Sequence, residues 1–163
     1  MLGIYSSGIW RIPFLDNLLP GNRVKLSTRA PIPEGVTAVA VWGYRPSAQK
    51  PVELATEAGL PVIRLEDGFI RSLGLGVEGA PPLSMVIDSQ GIYYDASTPS
   101  ELETLIKDSA GNACHHQQAR DLMTAIVDSD LSKYNKAPPF SPPATVAPCV
   151  LVVDQTFGDV SVS

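Results

Sequence analysis

Residues 36–43, VTAVAVWG, are apolar and β-branched almost without interruption. A strand with one wet face would carry a polar residue at every second position, whereas a strand covered on both faces need not. The residues that follow, SAQKPVELATEAG at 47–59, fit a helix stopped by Gly59, and LPVIRLED at 60–67 supplies another strand. Strand, helix and strand in this order, with a crossover of this length, predict a parallel sheet flanked by helices. Upstream, LGIYSS at 2–7 reads as a first strand and NRVKLS at 22–27 as a weak second one. Between them IPFLDNLLP reads as a short helix or turn that Pro20 and Gly21 end.

The chain has 163 residues, 44% of them hydrophobic, which suits one α/β domain and is too apolar for disorder. A net charge of -5 argues against a nucleic-acid partner, because neutralising phosphates takes a surplus of Lys and Arg on one face. Cys114 and Cys149 stand far apart in no metal or redox spacing, so reduced thiols in a cytosolic protein are expected. The N-terminus lacks a basic region followed by a long apolar stretch, and no later run reaches the roughly 18 apolar residues of a membrane span. Attachment to a membrane surface through a lipid acceptor or a partner stays open.

In the middle, PPLSMVIDSQGIYYDAS at 81–97 places two apolar runs on either side of Ser89, Gln90 and Gly91, which predicts a β-hairpin insertion. TPSELETLIKD at 98–108 predicts a helix capped by Thr98 or Ser100, with acids in its first turn and Lys107 near its end. A second helix is expected from Cys114 to about Leu131. APPFSPPATVAPC at 137–149 is too dense in proline for helix or central strand and reads as a linker. The expected organisation is thus a domain over 1–136, a linker over 137–148, and over 149–163 the first strand and loop of a second unit.

Several motifs invite a functional reading. Gly74, Gly76 and Gly79 in GLGVEG match a dinucleotide fingerprint, yet prolines and a strand-like run follow, leaving no helix N-terminus to hold a pyrophosphate. His115 and His116 are adjacent and would point about 100° apart on a helix, so no metal site is expected there. In RLEDGFIRS, Glu66 and Asp67 end an apolar strand, where open α/β sheets place their ligand crevice. Arg64 and Arg71 flank them and could hold a carboxylate or phosphate bidentately, or be solvated loop charges. In VWGYRPSAQK, Trp42, Tyr44 and Arg45 end another strand. A sugar or base could stack there, or Trp42 simply packs in the core while Ser47 caps the helix. Tyr93 and Tyr94 read as ordinary packing on the hairpin. Asp154 and Asp159, in DQTFGD, could serve as nucleophile or base at an anomeric carbon, or be an acidic turn after a strand.

Taken in order, GIYSSGIWRIP, AVAVWGYRPSA, PVIRLEDGFIRSLGLG, PPLSMVIDSQGIYYDAS, DLSKYN and VLVVDQTFGDVSV resemble the N-terminal portion of the KpsC family, the capsule-polysaccharide β-Kdo transferases. The resemblance runs from Met1 to the last residue. It implies a Rossmann-like domain that is the first half of a GT-B-like glycosyltransferase module, here truncated. It also implies transfer of Kdo from CMP-Kdo to a phosphatidylglycerol-based glycolipid, at the cytoplasmic face of the inner membrane and beside other capsule assembly proteins. The resemblance implies no cofactor beyond the donor substrate. Retention is attributed in that family to double displacement, with an aspartate nucleophile in a Gln-x-x-x-Asp motif that falls on Gln155 and Asp159. Glu66, then Asp67, are the expected acceptor base or positioning acid, and Arg71 or Arg64 would hold a Kdo carboxylate, with Tyr44 and Arg45 beside them. The CMP-binding segment is expected beyond Ser163, so this chain alone is expected to be inactive. The competing expectation is a non-catalytic binding or assembly module of the capsule export apparatus.

Overall fold

A computed structural model describes residues 1–109 and 113–136, together with six isolated positions between 138 and 152. Gln155 and Asp159 lie outside the described residues, as does nearly all of the expected linker and second unit.

Five strands form one sheet in the order β2-β1-β3-β4-β5, with β1 Leu2–Ile4, β2 Arg23–Lys25, β3 Ala38–Trp42, β4 Val62–Asp67 and β5 Met85–Asp88. The first four run parallel, with Leu2 opposite both Arg23 and Ala38, and Val39 opposite Val62. The helices are α1 Ser7–Trp10, α2 Leu15–Leu18, α3 Gln49–Glu57, α4 Glu101–Ser109 and α5 Ala113–Asp128. Strand alternation explains why β3 has no polar side. Ala40 turns to one face, where it meets Ile4, Ile9, Leu15, Leu19 and Leu65 beneath α1 and α2. Val39 and Val41 turn to the other, against Leu26, Val36, Ala48 and Ala55 beneath α3. Burying both faces of one strand between helices is the driving force that the apolar run announced.

The strand order places the reversal of connection direction between β1 and β3, and ligand crevices of such sheets open at the carboxyl ends of the strands near that point. The loops after β3 and β4 stand at that edge.

Two local expectations are corrected. Ser47 makes no cap for α3; Pro46, Ser47 and Ala48 form a 3-10 turn that leads into the helix, which has no side-chain cap. The hairpin at 81–97 does not form. β5 pairs antiparallel with β4, Arg64 opposite Asp88 and Asp67 opposite Met85, so it is the edge strand of the main sheet. The expected second arm is a series of turns. The cause is Asp88, 1% exposed, whose carboxylate accepts the backbone N–H groups of Gln90 at 2.9 Å, Gly91 at 2.8 Å and Glu101 at 3.0 Å. Buried and bonded three times to backbone, it folds the chain away from the sheet and onto the start of α4. There Ser100 and Glu103 form a reciprocal cap, with the Glu103 N–H on Ser100 Oγ at 3.2 Å and the Ser100 N–H on Glu103 Oε2 at 2.9 Å.

Among the described residues, no helix is long and apolar enough to cross a membrane. His115 and His116 lie on α5, where they line a groove against Leu105 and Ile106 of α4.

Candidate functional site

The site forms where β3 and β4 end. Gly43 carries the chain out of β3 at φ 44°, a conformation that only glycine adopts at no steric cost. Its bare Cα also makes room. A Cβ there would lie 2.9 Å from Glu66 Oε2 and would collide with the hydroxyl of Tyr94. The next residues, Tyr44 and Arg45, reach outward; Tyr44 is 41% exposed.

On β4, Arg64 and Glu66 share the parity of Val62, which packs on the α3 side of the sheet. Arg64 donates from Nη1 to the carbonyl of Gly43 at 2.8 Å, and its guanidinium carbon lies 4.0 Å from the centre of the Tyr44 ring. Its other N–H groups have no hydrogen-bond partner among the described residues. Arg45 sits 5.6 Å from the Trp42 ring centre. Both arginines line one pocket of about 460 Å³, together with Tyr44, Pro46, Ala48, Gln49 and Val52. A guanidinium lying on an aromatic face keeps its edge donors available, which suits a planar anion such as a carboxylate.

Glu66 is held at both oxygens: Oε1 accepts the Asp67 N–H at 3.0 Å, and Oε2 accepts the Tyr94 hydroxyl at 3.3 Å. Burial first, and the Glu66 charge second, push the Tyr94 phenol up to about 12, so Tyr94 remains a donor at neutral pH. Tyr94 also packs edge-on against Tyr44 and Tyr93, and Tyr93 continues to Phe69, giving an aromatic wall from the pocket to the β4 loop. Asp95 accepts the Tyr44 hydroxyl at 2.6 Å together with the Ser97 N–H and Oγ. The Ser97 hydroxyl, then Tyr44, hold the Asp95 carboxyl down at about 2. Burial, followed by the bond to Asp95, raises the Tyr44 phenol.

Arg71 behaves differently from Arg64. It is 8% exposed. Its Nε lies 2.7 Å from Asp67 Oδ1 in an ion pair, although neither atom is aligned for a hydrogen bond. Its Nη1 donates to Ser72 Oγ at 2.9 Å and to the Ala80 carbonyl at 3.0 Å. Gly76 packs on the guanidinium so closely that a Cβ would lie 2.6 Å from Nη2. Around it the chain is stitched: Lys133 O accepts the N–H groups of Arg71 and Ser72, and Asn135 donates to Ser72 O from its backbone and from Nδ2. The glycine-rich GLGVEG stretch is thus a loop folded over Arg71, with a 3-10 turn at Gly76–Glu78.

The structure accordingly brings Tyr44, Arg45, Arg64 and Glu66 to one edge. It commits Arg71, with Asp67, to the loop beneath. The sequence reading missed Tyr94 and Asp95, whose signal was the side-chain turn chemistry of Asp88 with Gly91 and of Asp95 with Ser97.

Comparison with known proteins follows the same outline. Residues 37–144 match the family described as capsule polysaccharide biosynthesis protein. The chain is 45% identical over 168 aligned residues to the capsule polysaccharide modification protein LipA of Neisseria meningitidis serogroup A, covering 98% of this chain and 23% of LipA. It is 42% identical over 130 residues to the lipopolysaccharide-processing protein LpsZ of Rhizobium meliloti, covering 77% of this chain and 29% of LpsZ. Among solved structures, the β-Kdo 2,4 transferase of Thermosulfurimonas dismutans KpsC superposes with a TM-score of 0.84 at 42% identity, over 99% of this chain and 50% of that one. The β-Kdo 2,7 transferase of the same KpsC gives 0.54 at 27% identity, over 86% of this chain and 45% of that one. The chain therefore spans less than a third of LipA or LpsZ and half of the first solved structure, and its sheet has the KpsC glycosyltransferase fold. On the family match and the identity to LipA, this chain belongs to the capsule polysaccharide biosynthesis protein family.

Proposed function

We propose that the chain contributes the acceptor side of a retaining β-Kdo transferase, which moves Kdo from CMP-Kdo to a phosphatidylglycerol-based glycolipid at the cytoplasmic face of the inner membrane. The observation that carries this reading is the match of 99% of the chain, at a TM-score of 0.84, to a β-Kdo 2,4 transferase.

In the proposed sequence, the Asp159 carboxylate attacks the anomeric carbon of CMP-Kdo while Gln155 helps to bind the substrate. The bond to the CMP oxygen breaks, and CMP leaves with the electron pair. The glycosyl-enzyme ester is then attacked by the acceptor hydroxyl, Glu66 takes the hydroxyl proton, and Asp159 departs as a carboxylate. Two inversions give retention. Glu66 is favoured over Asp67 as the base because Asp67 is paired with Arg71, whereas Glu66 accepts from Tyr94 and has no ion-pair partner among the described residues. Arg64, with Arg45 and Tyr44, is favoured over Arg71 for the Kdo carboxylate, since Arg71 is ion-paired with Asp67 and its Nη1 donates to Ser72 and Ala80.

The test joins this chain in frame to the second half of the Thermosulfurimonas 2,4 transferase and follows Kdo transfer to a synthetic glycolipid by mass spectrometry. Asp159→Ala abolishes transfer, and Glu66→Gln slows it by about 100-fold or more, the usual worth of a general base. Unchanged transfer in Asp159→Ala would remove the nucleophile assignment. Transfer by no form of the chimera, with acceptor binding retained, favours the non-catalytic assembly reading.

A further inference from the structure

Arg64 is a long side chain on β4, between β3 and β5, and a flexible guanidinium loses rotamer freedom whenever it grips a ligand. In this structure something has already removed part of that freedom. The guanidinium carbon lies over the Tyr44 ring, 4.0 Å from its centre, with one corner fixed to Gly43 O. The ring itself is exposed and would swing, but its hydroxyl is held at 2.6 Å by Asp95. Asp95 is in turn immobilised by the Ser97 N–H at 2.9 Å, Ser97 Oγ at 2.6 Å and Thr98 Oγ1 at 3.2 Å. The turn that carries it is anchored through the buried Asp88.

We propose that Asp95 is a positioning residue: acting through the Tyr44 hydroxyl, it fixes the ring that supports Arg64 and thereby the plane in which Arg64 meets the carboxylate of an acidic sugar. The inference rests on the reading of Arg64 as the carboxylate-binding residue. Its chemistry has two parts. The hydrogen bond to an anionic acceptor is of the strong, charge-assisted kind, so it resists the torsion of an exposed phenol. The same bond draws the phenol proton toward Asp95 and leaves the ring face more electron-rich, which strengthens the attraction to the guanidinium above it. Asp95 remains anionic throughout the neutral range, so the support does not switch off under working conditions. A remote carboxylate would ordinarily repel an acidic ligand. Here it is bonded to the hydroxyl edge of the ring, where its first effect is on the Tyr44 side chain.

The experiment is an NMR titration of this chain with the methyl glycoside of Kdo and, separately, with the neutral methyl ester of that glycoside. The wild-type chain favours the acid over the ester by about tenfold. Asp95→Asn and Tyr44→Phe each weaken binding of the acid by about threefold to tenfold, the scale of re-immobilising one long side chain. Binding of the ester is unchanged in both. The double variant loses no more than either single one, because both substitutions cut the same link. Ser97→Ala, which removes one donor from Asp95 but leaves Tyr44 bonded, stays within twofold of wild type. Asp95→Asn that binds the acid as well as or better than wild type overturns the proposal. So do additive losses, equal losses for acid and ester, or a Ser97→Ala loss as large as that of Asp95→Asn. A wild-type chain that binds both ligands equally removes the Arg64 reading itself, and the inference with it.

Discussion

Arg64 and Arg71 stand seven residues apart on either side of the same strand end, and they do opposite work. Arg71 turns inward: Nη1 donates to Ser72 Oγ and Ala80 O, Nε lies against Asp67 in an ion pair, and Lys133 and Asn135 close the chain over the top. Around Arg64 one hydrogen bond is made among the described residues, and the side chain lines a pocket. A buried cation surrounded by its own partners is a fastening, while a cation set over a ring and lining a pocket is the one proposed above as a receptor. Sequence chemistry is the same in both; burial and partner count separate them.

That contrast is open to attack in order of expected size. Arg71→Ala leaves the Asp67 carboxylate, 19% exposed, without its cation and should lower unfolding free energy by about 3 kcal/mol. Arg64→Ala should cost less than about 1 kcal/mol, as for a partly exposed side chain with one hydrogen bond. Urea denaturation of the two variants checks the pair, and equal losses would erase the distinction. Gly43→Ala places a methyl group at positive φ and against Glu66, for about 1–2 kcal/mol of strain, and should separate Glu66 from Tyr94. Asn135→Ala removes the side-chain bond to Ser72 O and should cost about 1 kcal/mol while leaving the pocket intact. If it instead disturbs the amide signals of Tyr44 and Arg45, fastening and receptor are one unit.

The smallest effects are titrations. Tyr94 should ionise near 12, seen as phenolate absorbance, and Glu66→Gln should lower that value because the neighbouring negative charge is one cause of the rise. An unmoved midpoint would mean the two groups do not meet in solution. Asp95 lies the other way. Its folded value near 2 is below the ordinary carboxylate value of about 3.9. Its contribution to stability is therefore present above about pH 4 and is lost as pH falls through about 2. Tyr44→Phe removes a hydrogen bond that lowers it and should move the midpoint upward, read from the side-chain carboxyl carbon shift.

Much of the architecture could be read from the chain because its signals are periodic. Val39, Ala40 and Val41 are covered on both faces, and only a strand between helices accommodates that run. Arg64 and Glu66 share a side of β4 for the same periodic reason, although the sequence reading grouped Glu66 with Asp67 instead. Arg71 lies past the strand end, where no parity applies, so its inward turn could not be foreseen. The failed hairpin has a related cause. Apolar spacing around Ser89, Gln90 and Gly91 suits two arms, but Asp88 spends its carboxylate on three backbone N–H groups and redirects the chain. Those side-chain-to-backbone bonds carry no periodicity. The same blindness hid Tyr94 and Asp95, which reach the site only because the second arm is not a strand.

The most direct test of the receptor reading is the affinity of the Arg64→Ala chain for the methyl glycoside of Kdo, measured by NMR beside Arg71→Lys. The account predicts at least a tenfold loss for Arg64→Ala with the fold preserved, and near wild-type affinity for Arg71→Lys wherever it remains folded. Undiminished binding in Arg64→Ala would contradict it.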